Sequence, residues 1–150
     1  MDQQHRIPVP RGADRRPRGV DDATVAGVGK LTEALETIER ARGHLYSMHQ
    51  LTGHADAMLD EAVRLLREAG HRTVAEEVRR RLIGRNVVDG RWTYQLVEEY
   101  DDGYYAEFRR IERQAREDLL GGVRHVHESA MKEERRSPGE PGHEAEPSRR

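Results

Sequence analysis

The clearest pattern along the chain is a heptad repeat that runs from Leu31 to Ala69. One row of this repeat is mostly large and apolar: Leu31, Ile38, Leu45, Thr52, Leu59 and Leu66. A second row, three residues later, is mostly small: Ala34, Ala41, Met48, Ala55, Ala62 and Ala69. Such rows are typical of the a and d positions of a helix that packs against another. They predict a helix over about 24–69, with Gly70 in the position that commonly ends a helix.

Two glycines interrupt this helix without breaking its pattern. Gly43 and Gly53 each cost about 1 kcal/mol relative to alanine inside a helix, but both fall outside the two rows. We therefore favour one continuous helix over two helices separated at Gly53.

A second helical region is built around the aromatic residues. Six of the seven aromatics in the chain lie within 92–108, interleaved with five carboxylates. Thr93 is a suitable N-cap. On a straight helical projection one apolar face carries Leu96, Val97, Tyr100, Tyr104, Phe108, Ile111 and Ala115, and Leu119, Val123, Val126 and Ala130 continue it. Gly121 and Gly122 mark its kink or end.

A short helix and a loop connect these two regions. The T-x-x-E spacing of Thr73 and Glu76 predicts a capping box for a helix that reaches about Ile83. Residues 84–91 then form a loop with a turn at Asp89-Gly90. The fold class is therefore all-α: a long antiparallel helical hairpin with a short connecting helix.

The prolines define the limits of this helical domain. All six lie near the ends of the chain, and none falls between Val20 and Ser137. We assign residues 23–136 to the helical domain, 1–22 to a disordered basic N-terminal arm and 137–150 to a disordered C-terminal tail. A hairpin buries little by itself, so we expect a homodimer that forms a four-helix bundle, with a monomeric three-helix bundle as the alternative.

Composition narrows the possible functions. The 26 basic and 28 acidic residues nearly balance, so nucleic acid is an unlikely partner. The chain has no cysteine, which excludes disulfides and thiolate metal sites. No apolar run is long enough for a transmembrane span, so we expect a cytoplasmic protein that does not bind membranes.

One polar row beside the heptad seam is the first candidate site. Arg42, His49 and Asp56 recur every seven residues, in a row that is apolar at Leu35 and Val63. Glu107 projects into the apolar arc of the aromatic helix, where a carboxylate needs a partner, and Arg42 or His49 would supply one. The row is interpreted as a network that sets helix register, as a ligand or metal pocket, or as a solvent-exposed edge.

A metal site has little support in the sequence. The Glu-x-x-His spacing of di-iron bundles occurs only at Glu68 and His71, across Gly70. A mixed site of His49, Asp56 and Glu107 stays open, but no cofactor is expected.

The second candidate site is a surface for a protein partner. Tyr94 and Tyr105 project outward on the straight helical projection, beside acidic residues that include Glu98 and Asp102. Exposed tyrosines next to carboxylates suit a protein interface.

The stretches 43–56, GHLYSMHQLTGHAD, and 84–105, GRNVVDGRWTYQLVEEYDDGYY, resemble a group of small helical actinobacterial proteins of uncharacterised function. The resemblance covers roughly residues 28–136 and implies no activity, cofactor or site residue. Our leading hypothesis is a non-enzymatic helical protein that self-associates and offers an aromatic and acidic surface to a protein partner. The alternative is a helical bundle that binds a metal or small ligand around His49, with or without catalysis.

Overall fold

A computed structural model describes residues 15–145, and this part of the chain is all-α. Its helices are α1 (Asp22–Glu68), α2 (Arg72–Arg81), α3 (Thr93–Tyr100), α4 (Ala106–Leu120) and α5 (Val126–Arg135), and a π-helical segment (Asp101–Tyr105) joins α3 to α4. The only β feature among the described residues is an isolated bridge between Val88 and Arg91. The all-α fold class is therefore confirmed.

The first helix is continuous, as the heptad repeat predicted. Its 47 residues run through Gly43 and Gly53, and nothing lies within 4 Å of a Cβ placed at either glycine. The helix ends as expected at Gly70, whose φ is +90°. There the amide of Gly70 donates to the Arg67 carbonyl at 3.0 Å and the amide of His71 to the Leu66 carbonyl at 2.8 Å, the two bonds of a Schellman motif.

The inward face of α1 differs from the predicted pair of rows. The Leu31 row is half-buried throughout, but its companion is the row Val28, Leu35, Arg42, His49, Asp56 and Val63, in which every residue is half-buried or buried. Only part of the alanine row is covered, because Ala41, Ala55 and Ala69 are exposed and the other three members are half-buried. Both pairs of rows have the 3–4 spacing of a helix seam. Periodicity alone therefore could not decide which one faces the core.

Contacts divide the chain into two compact units, residues 38–106 and residues 1–37 with 107–150. The 38–106 unit contains the second part of α1, α2, α3 and the π segment, and its buried residues are Val63, Ala75 and Val97.

In this unit α2 begins at Arg72, and its N-cap His71 makes no side-chain cap bond. The predicted capping box is not formed. Glu76 is instead held by the Arg79 guanidinium at 2.5 Å.

The other unit has a small apolar core built from valines and one leucine. Val25 and Val28 of α1 pack with Leu120 and Val126, and Val20 and Val123 lie against them. The predicted break at Gly121-Gly122 is present, since α4 ends at Leu120 and both glycines have positive φ angles of 58° and 77°. Gly29 is in close contact with α5, because a Cβ placed on it would lie 3.0 Å from the His127 Cβ.

A buried carboxylate, Glu112, lies in this same unit. It is 5% exposed and accepts hydrogen bonds from the Thr32 hydroxyl at 3.1 Å and the Arg116 Nε at 3.2 Å. Arg116 also donates to the Gly122 carbonyl at 3.3 Å. The carboxylate is therefore paired, as a buried charge must be.

The π segment changes which side chains of the aromatic helix are buried. The straight projection predicted that Tyr104, Ile111 and Leu119 would be buried, yet they are 58%, 45% and 51% exposed. The residues one position later take the inward places: Tyr105 is half-buried, and Glu112 and Leu120 are 5% and 3% exposed. A π turn holds an extra residue compared with an α turn. The projection is therefore wrong at Tyr104, Ile111 and Leu119, where the next residue faces inward, whereas Phe108 and Ala115 are half-buried as predicted.

The predicted N-terminal arm lies mostly outside the described residues, as does the end of the C-terminal tail. Of the C-terminal tail, residues 137–145 are described and form turns, in which the Ser137 amide donates to His143 Nδ1 at 3.0 Å. Within residues 15–145 no helix combines the length and apolarity that a membrane crossing requires.

Candidate functional site

The polar row of α1 lies in the 38–106 unit, and each of its members bonds to the returning chain. Arg42 meets Asp101, His49 meets Thr93, and Asp56 meets Gly84. As the row advances along α1, its partners move backwards through the sequence. Within this unit, α1 and the segment from Gly84 to Asp101 are thus tied together in antiparallel order.

Arg42 makes the most extensive of these contacts. Its Nε and Nη2 donate to the two carboxylate oxygens of Asp101 at 2.6 and 2.8 Å, a bidentate pair in which both side chains are about 30% exposed. Hydrogen bonds from the guanidinium hold the pKa of Asp101 below its usual value, and the carboxylate raises the pKa of Arg42. The guanidinium carbon also lies 5.8 Å from the Tyr46 ring centre and 5.7 Å from that of Tyr105.

These contacts fix the π segment against α1. Tyr105 stacks on Tyr100 with ring centres 6.2 Å apart, and its hydroxyl donates to Glu39 at 2.5 Å. The sequence interpretation placed Tyr105 among the outward-facing partner residues, yet Tyr105 is half-buried, and so is Asp101. The one-residue offset of the π segment accounts for Tyr105, and Tyr104 takes the exposed position.

His49 and Asp56 hold the two ends of the α2–α3 connection. His49 Nδ1 lies 2.8 Å from the Thr93 hydroxyl, which was predicted to cap α3 but is its first helical residue. Asp56 Oδ1 accepts a 2.8 Å hydrogen bond from the Gly84 amide. Gly84 has a φ of +72°, so the carboxylate holds a turn that favours glycine.

Glu107 does not take part in this network. It is exposed and forms a two-bond pair with Arg110 of α4, at 2.9 and 2.7 Å, which lowers the pKa of Glu107. The predicted contact between His49 and Glu107 would join the two units and stays a prediction. The straight projection turned Glu107 inward because it did not include the π segment.

An open groove of about 410 Å³ lies beside Asp56, between α1 and the α2–α3 loop. Its walls are formed by Thr52, Ala55, Asp56, Leu59, Leu82, Arg85, Asn86 and Val87. The groove combines apolar side chains with one carboxylate, one guanidinium and one amide.

The partner-surface residues Tyr94, Glu98 and Asp102 are all exposed and spaced four residues apart, along α3 and into the π segment. Trp92 joins them, since its ring centre lies 5.4 Å from that of Tyr94 in an edge-on arrangement and it is 58% exposed. We call Trp92, Tyr94, Glu98 and Asp102 the Trp92 surface. The sequence analysis grouped Trp92 with the other aromatics of residues 92–108 and did not assign it to a surface. Its place directly before the first residue of α3, just after the Asp89-Gly90 turn, was the signal that it lies outside the core.

Among residues 15–145, no three histidine or acidic side chains lie together in a way that could hold a metal ion. The mixed site of His49, Asp56 and Glu107 is therefore not assembled. No family model matches the chain, and neither the curated proteins nor the solved structures contain a match.

Proposed function

We propose that the protein is a non-enzymatic helical protein that self-associates and binds a protein partner through the Trp92 surface. The observation that carries this proposal is the exposure of Trp92, 58%, beside the ring of Tyr94. Because these two large aromatic rings are exposed, they do not contribute the buried area with which aromatic side chains usually stabilise a fold. Tryptophan and tyrosine are also the residues that most often dominate the energy of protein interfaces.

The charge beside the aromatic pair indicates what kind of partner would fit. Glu98 and Asp102 have no ion-pair partner among the residues that the structure describes. A segment with lysine or arginine next to an apolar side chain would meet both features. Its cations would face the carboxylates and the aromatic rings, and its apolar group would cover Trp92.

A displayed library of random peptides tests this proposal without a known partner. Peptides enriched on the wild-type protein should be basic and contain large apolar side chains. The Trp92→Ala variant should not bind these peptides. Tyr104→Ala is the matched control, because Tyr104 has the same 58% exposure but lies outside the Trp92 surface.

The selected peptides are then titrated against the purified protein. Trp92 is the only tryptophan in the chain, so its emission reports on this surface alone. The emission should shift to shorter wavelength with saturation, and Glu98→Gln with Asp102→Asn should weaken binding most at low salt. Enrichment that is equal on wild type and Trp92→Ala would contradict the proposal.

The second candidate function is binding of a small ligand in the groove beside Asp56. Its size and its mixture of Asp56, Arg85 and Asn86 with apolar walls favour this candidate. The row of Arg42, His49 and Asp56 already makes internal bonds, which weakens the case for a ligand there. Thermal-shift screening with a metabolite panel, and metal analysis of protein purified without a histidine tag, would test this candidate. A ligand that stabilises wild type but not Arg85→Ala would support it.

A further inference from the structure

The outward side of α1 carries an apolar stripe whose large side chains are left exposed by its own unit. Its large residues are seven apart and well exposed, with Leu51 at 65%, Met58 at 71% and Leu65 at 51%. Alanines alternate with them, so that the stripe reads Leu51, Ala55, Met58, Ala62, Leu65 and Ala69. At 100° per residue, these six positions fall within an arc of about 80°. This is the a and d pattern of a helix seam, on a face other than the one that packs internally.

We propose that two copies of the chain pair antiparallel along this stripe. The two-fold axis passes through the middle of the stripe, at the level of Asp60 along α1. In that arrangement Leu51 lies opposite Ala69 of the second copy, Met58 opposite Ala62, and Leu65 opposite Ala55. The two members of each pair are equally distant from Asp60 along the sequence. This inference rests on the self-association in the proposed function and names the surface and geometry for it.

The order of large and small residues is what identifies a second copy as the occupant. A two-fold axis brings a surface against itself, so the surface must be self-complementary. Here every layer sets one large side chain against one alanine, which lets the helices approach closely without voids. Parallel pairing would instead set leucine against leucine and alanine against alanine, so that the layers would differ in thickness.

The charged border of the stripe agrees with the same geometry. Arg64 bonds to Glu61 at 2.5 Å and to Glu68 at 2.6 Å within α1, which offsets the acidic charge along that border. Each copy therefore brings to the border carboxylates that are already paired within its own helix.

The size of the stripe sets the expected strength of the dimer. It spans about 27 Å along α1 and roughly 10 Å across, about a third of the ~800 Å² per partner of a standard interface. Leu82 and Val87, 50% and 52% exposed, line the same groove as Ala55 and extend the apolar area at one end. An interface of this size belongs to the weak, transient class, so we expect a reversible dimer that forms as the protein concentration rises.

Sedimentation of the full chain across the micromolar range tests the association. The mass should rise from one chain to two with concentration. The Met58→Glu variant should keep the mass of one chain at every concentration. It should still fold, because the Met58 side chain is 71% exposed. Leu119→Glu is the control, since Leu119 is 51% exposed but lies outside the stripe.

Cross-linking tests the geometry, because the chain has no cysteine of its own. Ala55→Cys and Leu65→Cys, each alone, should not form disulfide dimers on mild oxidation, and their mixture should form the mixed dimer. Dimers of either variant alone would overturn the antiparallel arrangement. Association that Met58→Glu leaves unchanged would overturn this surface only. A single-chain mass at every concentration would refute self-association itself, whereas peptide binding at Trp92 is measured separately.

Discussion

Replacing Gly29 by alanine should destabilise the protein, although alanine is the better helix former. Gly29 lies inside α1, where the exchange alone would stabilise the helix by about 1 kcal/mol. The added Cβ would lie 3.0 Å from the His127 Cβ and 3.1 Å from its Cγ. Carbon atoms pack best at about 3.5–4.0 Å, and overpacking of this kind costs roughly 1–3 kcal/mol. Because the His127 Cβ is fixed to α5, a change of rotamer cannot relieve the contact.

Gly27→Ala is the matched control for this prediction, two residues away in the same helix. Nothing lies within 4 Å of a Cβ at Gly27, so only the gain of about 1 kcal/mol applies. The two variants should therefore differ by roughly 1–3 kcal/mol in free energy of unfolding, with Gly27→Ala above wild type. Urea unfolding, monitored by circular dichroism, measures this difference, provided that both variants show the same dependence of the free energy of unfolding on urea concentration. Equal stabilisation by both substitutions would refute the contact between α1 and α5.

Three further predictions follow from other contacts. Glu112→Leu should lower the free energy of unfolding by roughly 2–4 kcal/mol, and Arg116→Leu in the same chain should restore part of it, as a double-mutant cycle in urea would measure. Arg42 lowers the pKa of Asp101 from its usual 3.8, so this pair stabilises the fold above that pH and loses its effect as pH falls through the lowered value. The melting-temperature advantage of wild type over Asp101→Asn should therefore be constant near neutral pH and shrink below about pH 4; an advantage that grows in acid would contradict this sign. Gly53→Ala should raise stability by about 1 kcal/mol in thermal unfolding, because its Cβ meets nothing within 4 Å.

The extent of the first helix could be predicted from the sequence because its signals agree locally. The heptad continues through Gly53, proline is absent, and Gly70 provides the left-handed residue of the C-terminal cap. Its inward face could not be predicted, because two seams of equal periodicity share the helix. The Leu31 row takes part in the inner seam, and the alanine row belongs to the outer one.

The polar row could be found from the sequence, but the groups to which it bonds could not. Arg42, His49 and Asp56 could be found from their spacing alone, as polar residues in a row with apolar ends. Their partners could not, because Asp101, Thr93 and Gly84 lie 59, 44 and 28 residues away along the chain, and periodicity reports only on neighbours within one helix. The extra residue of the π segment leaves Glu107 on the exposed face of α4, where it pairs with Arg110.

The polar row offers a physical reason why α1 packs by one seam and not the other. If both seams were wholly apolar, α3 would gain similar hydrophobic energy on either face, and the chain would have two competing arrangements. Arg42, His49 and Asp56 find their hydrogen-bond partners only when the inner seam faces α3 and the α2–α3 loop. If α1 packed by its outer seam, these three side chains would lose those hydrogen bonds. We infer that the polar row selects the inner face, and that this selection leaves the stripe from Leu51 to Ala69 available to a second copy.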